Sequence, residues 1–339
     1  MLYHYLVQQP LFVQSLTVVL TALILAIVLG KYSVAILYAF KIGQPVRYAD
    51  CPMLLKLHEK KKDTPTMGGI LNIILFVMIG LIFFNWEQVS SWILSLSFLL
   101  LGAIGALDDF KKLKGSSAKG ITSRQKLFLQ IIIGIVIAGL AFIFSPEFFQ
   151  DSFTRNYLPY GLSVAFFVFI FCGSSNAVNL TDGLDGLASG CVAIVSFGLL
   201  SVLILNPSDY KDAYNILVCL SMIIGLSLGF LWYNHFPAQV FMGDTGSLSY
   251  GGLLGLVAFM MKREWLYALI GLVFVIEAMS VILQVLSFRF RNQKRIFLCS
   301  PIHHHFQYQG MHEVKIVTRF WIFTLLCTIL GILIAWGLL

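Results

Sequence analysis

The sequence predicts an all-α polytopic integral membrane protein, one unit over residues 1–339 with about ten transmembrane helices. Three observations predict it. The chain is 58% hydrophobic and only 12% charged, with a mean hydropathy of +0.86, whereas a soluble domain is about 45–50% apolar and about 25% charged. Apolar runs near the ~20 residues that a bilayer requires recur along the whole length. The basic residues gather in alternate loops, which is the pattern of cytoplasmic segments.

In chain order, spans are expected at 12–40, 68–86, 91–107, 125–145, 160–178, 186–205, 214–233, 246–261, 265–288 and 317–339. The first is long, follows an uncharged stretch and lacks a basic start and small-residue cleavage site, so it reads as a span and not a signal peptide. Segment 41–67 carries Lys41, Arg47, Lys56, Lys60, Lys61 and Lys62. Segment 108–126 carries Lys111, Lys112, Lys114, Lys119, Arg124 and Lys126. Segment 289–319 carries Arg289, Arg291, Lys294, Arg295, Lys315 and Arg319. The other side holds Arg155, Lys211 and the pair Lys262-Arg263, a local exception. Both termini are therefore expected outside, and the net charge of +7 belongs mostly to one face. Topology alone explains most of it; no nucleic-acid partner is expected. The six cysteines form no CxxC pair, which excludes a zinc or disulfide framework and leaves small buried residues.

The acidic residues fall on this frame unevenly. Asp108 and Asp109 end the third span, Asp182 and Asp185 lie between the fifth and sixth, and Asp244 precedes the eighth, all on the basic face. Carboxylates at the edge of hydrocarbon are costly and mark function. Asp182 and Asp185, with Asn176 and Asn179 just before, suit a metal ion carrying a polyphosphate, since Mg²⁺ takes hard oxygen ligands and substrate phosphates. If the Asp182–Asp185 stretch is helical, both carboxylates share one face. Asp244 sits in Gly-Asp-Thr-Gly-Ser, whose amides suit phosphate; a capped turn explains that run equally well. Asp108-Asp109 before a basic run is a soluble helix end, or a base or second metal contact.

Three other segments stand out. Lys61, Lys62 and Thr66 lead into the second span and suit a phosphate, against the competing reading of a topogenic loop. His303, His304 and His305 are adjacent, so they cannot all face one ion in regular structure; bonding to phosphate or sugar suits them better, and an exposed loop is the plain alternative. Glu277 and Gln284 lie seven apart in the ninth span and share a face, for a bond between helices or for a substrate.

Together Thr64-Pro-Thr-Met-Gly-Gly69, Asp108-Asp109-Phe-Lys-Lys112, Asn179-Leu-Thr-Asp-Gly-Leu-Asp-Gly186, Phe241-Met-Gly-Asp244 and Pro301-Ile-His-His-His305 resemble the phospho-N-acetylmuramoyl-pentapeptide transferase family. That family lies in the polyprenyl-phosphate N-acetylhexosamine 1-phosphate transferase superfamily (glycosyltransferase 4 family). The resemblance spans the whole chain. It implies a Mg²⁺-dependent enzyme of the bacterial inner membrane that transfers phospho-sugar from UDP-N-acetylmuramoyl-pentapeptide to undecaprenyl phosphate, giving lipid I and UMP. This is the first membrane step of peptidoglycan synthesis, on which cell shape and division depend. It also implies a homodimer.

The roles it implies are Asp244 on Mg²⁺, Asp108 as base or nucleophile, and Asp109 in support. Asp182 and Asp185 would hold nucleotide or metal, with Asn176 beside them. Asn179 and Phe241 would line the uridine, and Lys61 and Thr66 the phosphate or sugar. Gln284, His303, His304 and His305 would complete the pocket, and Asn234 would sit near Asp244. One departure is Gln307, where the resemblance leads one to expect Glu. The competing classes are a sister enzyme using UDP-N-acetylglucosamine and an ion-coupled transporter; transporters place their site near the midplane, unlike these acids.

Overall fold

The computed structural model describes residues 6–40, 61, 63–114, 120–145 and 160–338. Lys41, Arg47, Cys51, Lys56, Lys60, Lys62, Lys119 and Arg155 lie outside the described residues. Among those described, the structure is helical with no strand: α1 (Leu11–Ala39), α2 (Gly69–Phe83), α3 (Val89–Lys114), α4 (Ser123–Phe144), α5 (Tyr160–Thr181), α6 (Leu187–Leu205), α7 (Ala213–Asn234), α8 (Gly243–Met260), α9 (Glu264–Ile270), α10 (Leu272–Phe290), α11 (Ile302–Tyr308) and α12 (Glu313–Ala335).

Eight helices (α1, α3, α4, α5, α6, α7, α10 and α12) are long and apolar enough to cross a membrane. Their outer faces carry rows of exposed apolar side chains, as in Phe12, Leu16, Leu20, Ile24 and Val28 of α1. A water-soluble monomer does not expose such a stripe, so lipid is its solvent. The expected spans at 68–86 and 246–261 correspond to α2, which has 15 residues, and to α8, which is rich in glycine, serine and threonine.

Helix α8 is the axis of the bundle. It packs along α3 on one side and α5 on the other, and Thr245 through Phe259 are all buried. Small residues let the backbones approach closely, as is usual between membrane helices. Aromatic rings fill the remaining space: Phe98 of α3 stacks on Phe76 of α2 at 4.4 Å and meets Tyr250 of α8 edge-on at 5.3 Å. Around this core, α1 packs on α7, α7 on α6, and α6 on α12.

The expected span at 265–288 is broken. Gly271 separates α9 from α10, with φ −91° and ψ 24°. Its N–H still closes the last turn of α9 on the Tyr267 carbonyl at 2.7 Å, and a Cβ at this position would stand only 3.1 Å from that same carbonyl oxygen. The redirected α10 carries Glu277, Gln284 and Ser287 on its buried face, while Val275, Met279, Ile282 and Val285 are exposed. The five cysteines among the described residues are buried, and Cys172, Cys191, Cys219 and Cys327 form no disulfide.

Candidate active site

The end of α3 and the start of α8 form the centre of the site. The two helices touch at Gly105, where a Cβ would stand 2.2 Å from the Asp244 carbonyl oxygen and 2.4 Å from the Thr245 nitrogen. This contact brings Asp108 and Asp109 beside Asp244. Gly243 adopts φ +73° and starts α8, and its first amides are capped from the neighbouring helix. Asp109 accepts from the Thr245 N–H (3.0 Å), the Thr245 hydroxyl (2.8 Å) and the Asp244 N–H (3.3 Å). The amides expected to meet phosphate are thus already engaged by Asp109, and the negative charge suits a helix N-terminus.

Asp108 accepts from the Ile121 N–H at 2.6 Å and faces Lys112 Nζ at 2.5 Å and Lys126 Nζ at 3.2 Å. Both ammonium groups also hold Asp244 Oδ2, Lys112 at 3.1 Å and Lys126 in a short contact. Asn179 donates to Asp244 Oδ1 at 3.0 Å and to the Ser247 hydroxyl at 2.8 Å. Oxygens from Asp108, Asp109 and Asp244 lie within 4.8 Å of one another. Three carboxylates against two ammonium groups leave one negative charge, and hard oxygen donors at this spacing fit Mg²⁺. Buried Thr66 adds an Oγ1 with no hydrogen-bond partner among the described residues. It lies beside Gly243, where a Cβ would stand 2.9 Å from it.

Residues 182–186 are a turn, not a helix, so the condition that put Asp182 and Asp185 on one face is not met. Gly186 takes φ +79° to start α6. Asp185 is turned away: Oδ1 meets Lys61 Nζ at 2.6 Å and Oδ2 accepts from the Ala238 N–H at 3.0 Å. Glu313, at the first position of α12, holds the same Lys61 at 2.6 Å and accepts from the Asp185 N–H at 2.8 Å. Asn234 fastens the turn from α7: its carbonyl oxygen accepts from the Gly186 N–H (3.2 Å) and the Ser189 hydroxyl (2.8 Å), and its amide donates to the Val240 carbonyl (2.9 Å). Half-buried Phe241 is placed by backbone bonds to Pro65 and Gly68 at 2.8 and 2.9 Å.

Asp182 remains beside the acidic centre without an ion-pair partner among the described residues. Burial pushes its carboxyl up to about 8, helped by the negative charges of Asp244, Asp109 and Asp185. The folded protein therefore keeps a proton that the unfolded chain loses near its ordinary value of 3.8. The resulting penalty grows as pH rises between these values and is complete above the upper one. Asp182→Asn removes it. The expected result is a higher melting temperature for the ligand-free protein, with a larger gain at about pH 8.5 than at about pH 5. Thermal melts of both proteins at the two pH values check this; an equal gain at both would refute the assignment.

The three histidines form the short helix α11, with His303 and His304 buried. The His303 and His304 rings meet edge-on at 4.1 Å, yet the three imidazoles take different partners. His303 Nδ1 meets Glu277 at 3.0 Å, His304 Nδ1 meets Gln307 Oε1 at 2.8 Å, and His305 Nδ1 accepts from the Leu298 N–H at 3.1 Å. Gln307 thus supplies an acceptor oxygen without charge. Gln284 accepts from the Ile296 and Phe297 N–H groups, each at 3.0 Å, and donates to the Phe297 carbonyl at 3.1 Å. Its amide is engaged by the loop that leads to α11. Asn176 sits further up α5 and ties it to α4, donating to Gln130 at 2.7 Å.

The sequence reading did not single out Lys112, Lys126 or Glu313 as site residues. Lys112 had a local signal, its i+3 and i+4 spacing from Asp109 and Asp108. Lys126 and Glu313 had none, because their partners are distant in sequence.

Comparison with known proteins shows the family of the chain. Residues 91–262 match the model described as "Glycosyl transferase family 4", and residues 61–72 match "Phospho-N-acetylmuramoyl-pentapeptide-transferase signature 1". Similar proteins named phospho-N-acetylmuramoyl-pentapeptide-transferase include one from Protochlamydia amoebophila, 42% identical across 92% of this chain and 91% of that protein. Others are from Chlamydia felis, 42% identical across 94% of each chain, and from Citrifermentans bemidjiense, 40% identical across 94% of this chain and 92% of that protein. With this identity over nearly its whole length, the chain belongs to the phospho-N-acetylmuramoyl-pentapeptide-transferase family.

Proposed function

We propose that the protein transfers phospho-N-acetylmuramoyl-pentapeptide from UDP-N-acetylmuramoyl-pentapeptide to undecaprenyl phosphate, forming lipid I and UMP at the cytoplasmic face of the bacterial inner membrane. The observation that carries this reading is the grouping of Asp108, Asp109 and Asp244 with Lys112 and Lys126 at one end of the helix bundle. A site there meets both a soluble nucleotide and a lipid whose head group lies at the interface.

An oxygen of the lipid phosphate attacks the phosphorus bonded to the sugar. The bond from that phosphorus to the bridging oxygen breaks, and UMP departs with the electron pair. Little covalent chemistry falls to the protein, which contributes position and charge. Lys112 and Lys126 keep three carboxylates close and present positive charge to entering phosphates. Asp108 accepts any proton remaining on the lipid phosphate. Asn179 and Phe241 take the uridine, Lys61 and Thr66 the phosphate side, and the α11 histidines the sugar side. Bound Mg²⁺, held by Asp244 with Asp182 nearby, would neutralise the diphosphate. Asp185, Asn234 and Gln284 act by holding the walls of the site. A homodimer is part of this proposal.

Purified protein in detergent with Mg²⁺ and undecaprenyl phosphate, given each UDP-sugar in turn, tests it. UMP release with the muramoyl-pentapeptide donor is expected. Release only with UDP-N-acetylglucosamine would assign the sister activity, and release with neither would sink the enzyme reading.

A further inference from the structure

Glu277 lies on α10 and His303 on α11, and both side chains are fully buried, at 0% exposure. They meet through Glu277 Oε2 and His303 Nδ1 at 3.0 Å. A carboxylate on Nδ1 fixes the ring and its tautomer, with the proton on Nδ1 and the lone pair on Nε2. Nε2 points at Gly183, where a Cβ would stand only 2.2 Å away. That glycine adjoins Asp182 in the turn between α5 and α6.

The pair is only half satisfied. Glu277 Oε1 and His303 Nε2 are both buried without a hydrogen-bond partner among the described residues. Buried polar atoms are nearly always bonded, so exceptions call for an explanation. A pair that served only to join α10 to α11 gains nothing from these two open atoms, and apolar residues of similar volume would join the helices at least as well. The open nitrogen faces the turn that carries Asp182, so the pair is built to hold an imidazole acceptor at that turn.

We propose that Glu277 is a positioning residue for the transfer reaction: it fixes the His303 imidazole against the Asp182–Gly183 turn, with Nε2 held as an acceptor for a hydroxyl or amide N–H of the donor substrate. This rests on the transferase reading above. Glu277 acts through His303 and does not itself touch substrate.

A double-mutant cycle on the full-length protein tests it, with kcat for UMP release measured for the wild type, Glu277→Leu, His303→Ala and the double variant. Loss of a carboxylate that orients a metal-bound histidine lowers activity by about 10–100-fold, and Glu277→Leu, which frees the His303 ring in the same way, is expected to act on that scale. On the His303→Ala background the same change is expected to alter kcat by less than about twofold, because the residue it acts through is gone. Equal losses on both backgrounds, or no loss in the first, would overturn the proposal. If the leucine variant does not fold by thermal melt, Glu277→Gln, nearly isosteric, replaces it in the same cycle with the same two outcomes. A wild type that releases no UMP refutes the transferase reading; an active wild type with uncoupled variants overturns only the role of Glu277.

Discussion

Asp244→Asn lowers UMP release by about 100–1,000-fold, the scale on which removal of one electrostatic partner slows transfer at a preorganised site. Asparagine has nearly the same shape, so the Asn179 contact at 3.0 Å and the start of α8 survive. The charge does not. With Asp108 and Asp109 left against Lys112 and Lys126, the centre loses the one net negative charge that favours a divalent cation. The lysines keep Asp108 as a partner, so the melting temperature changes little. Activity and thermal melts measured on one preparation separate the two effects; wild-type activity in this variant would remove Asp244 from the chemistry.

Gly105→Ala is expected to damage the same centre from behind. The added Cβ meets the Asp244 carbonyl at 2.2 Å and the Thr245 nitrogen at 2.4 Å. Both are backbone atoms and cannot rotate away. The helices must part, which costs about 1–3 kcal/mol as overpacking. Parting them also stretches the bonds from Asp109 to the start of α8. A displacement of about 1 Å can slow a positioned reaction by about 100-fold, and that loss is the expected result. Gly139→Ala is the control: nothing lies within 4 Å of its Cβ position on α4, so activity should hold while the helix gains up to about 1 kcal/mol. Equal behaviour of the two variants would show that the α3–α8 contact does not set the site.

Much of this was legible in the sequence, for reasons specific to its setting. Helices in hydrocarbon need length and apolarity, so the spans showed as runs, and Asp108, Asp109 and Asp244 stood out because carboxylates at a membrane edge are costly. The break at Gly271 did not show, because α9 and α10 are both apolar and the run reads through it. Lys126 was hidden among basic residues that topology already explained, though it crosses 118 positions to reach Asp244. Asp185 matched Asp182 in type and spacing, yet it faces Lys61 and Glu313, whose positions only the fold sets. Gln284 showed as polar at depth, and its partners are loop backbone that no periodicity predicts.

The buried face of α10 also bears on how the protein is made. Gln284 holds residues 296 and 297, Ser287 donates to the Lys294 carbonyl at 2.8 Å, and Glu277 holds His303. These anchor points exist in register only on a formed helix, and membrane helices insert before they assemble. The segment that ends in α11 therefore completes after α10 is in the bilayer. The histidine wall of the site is among the last parts to form during biogenesis, and a nascent chain that has inserted only as far as α8 holds Asp108, Asp109 and Asp244 but not that wall.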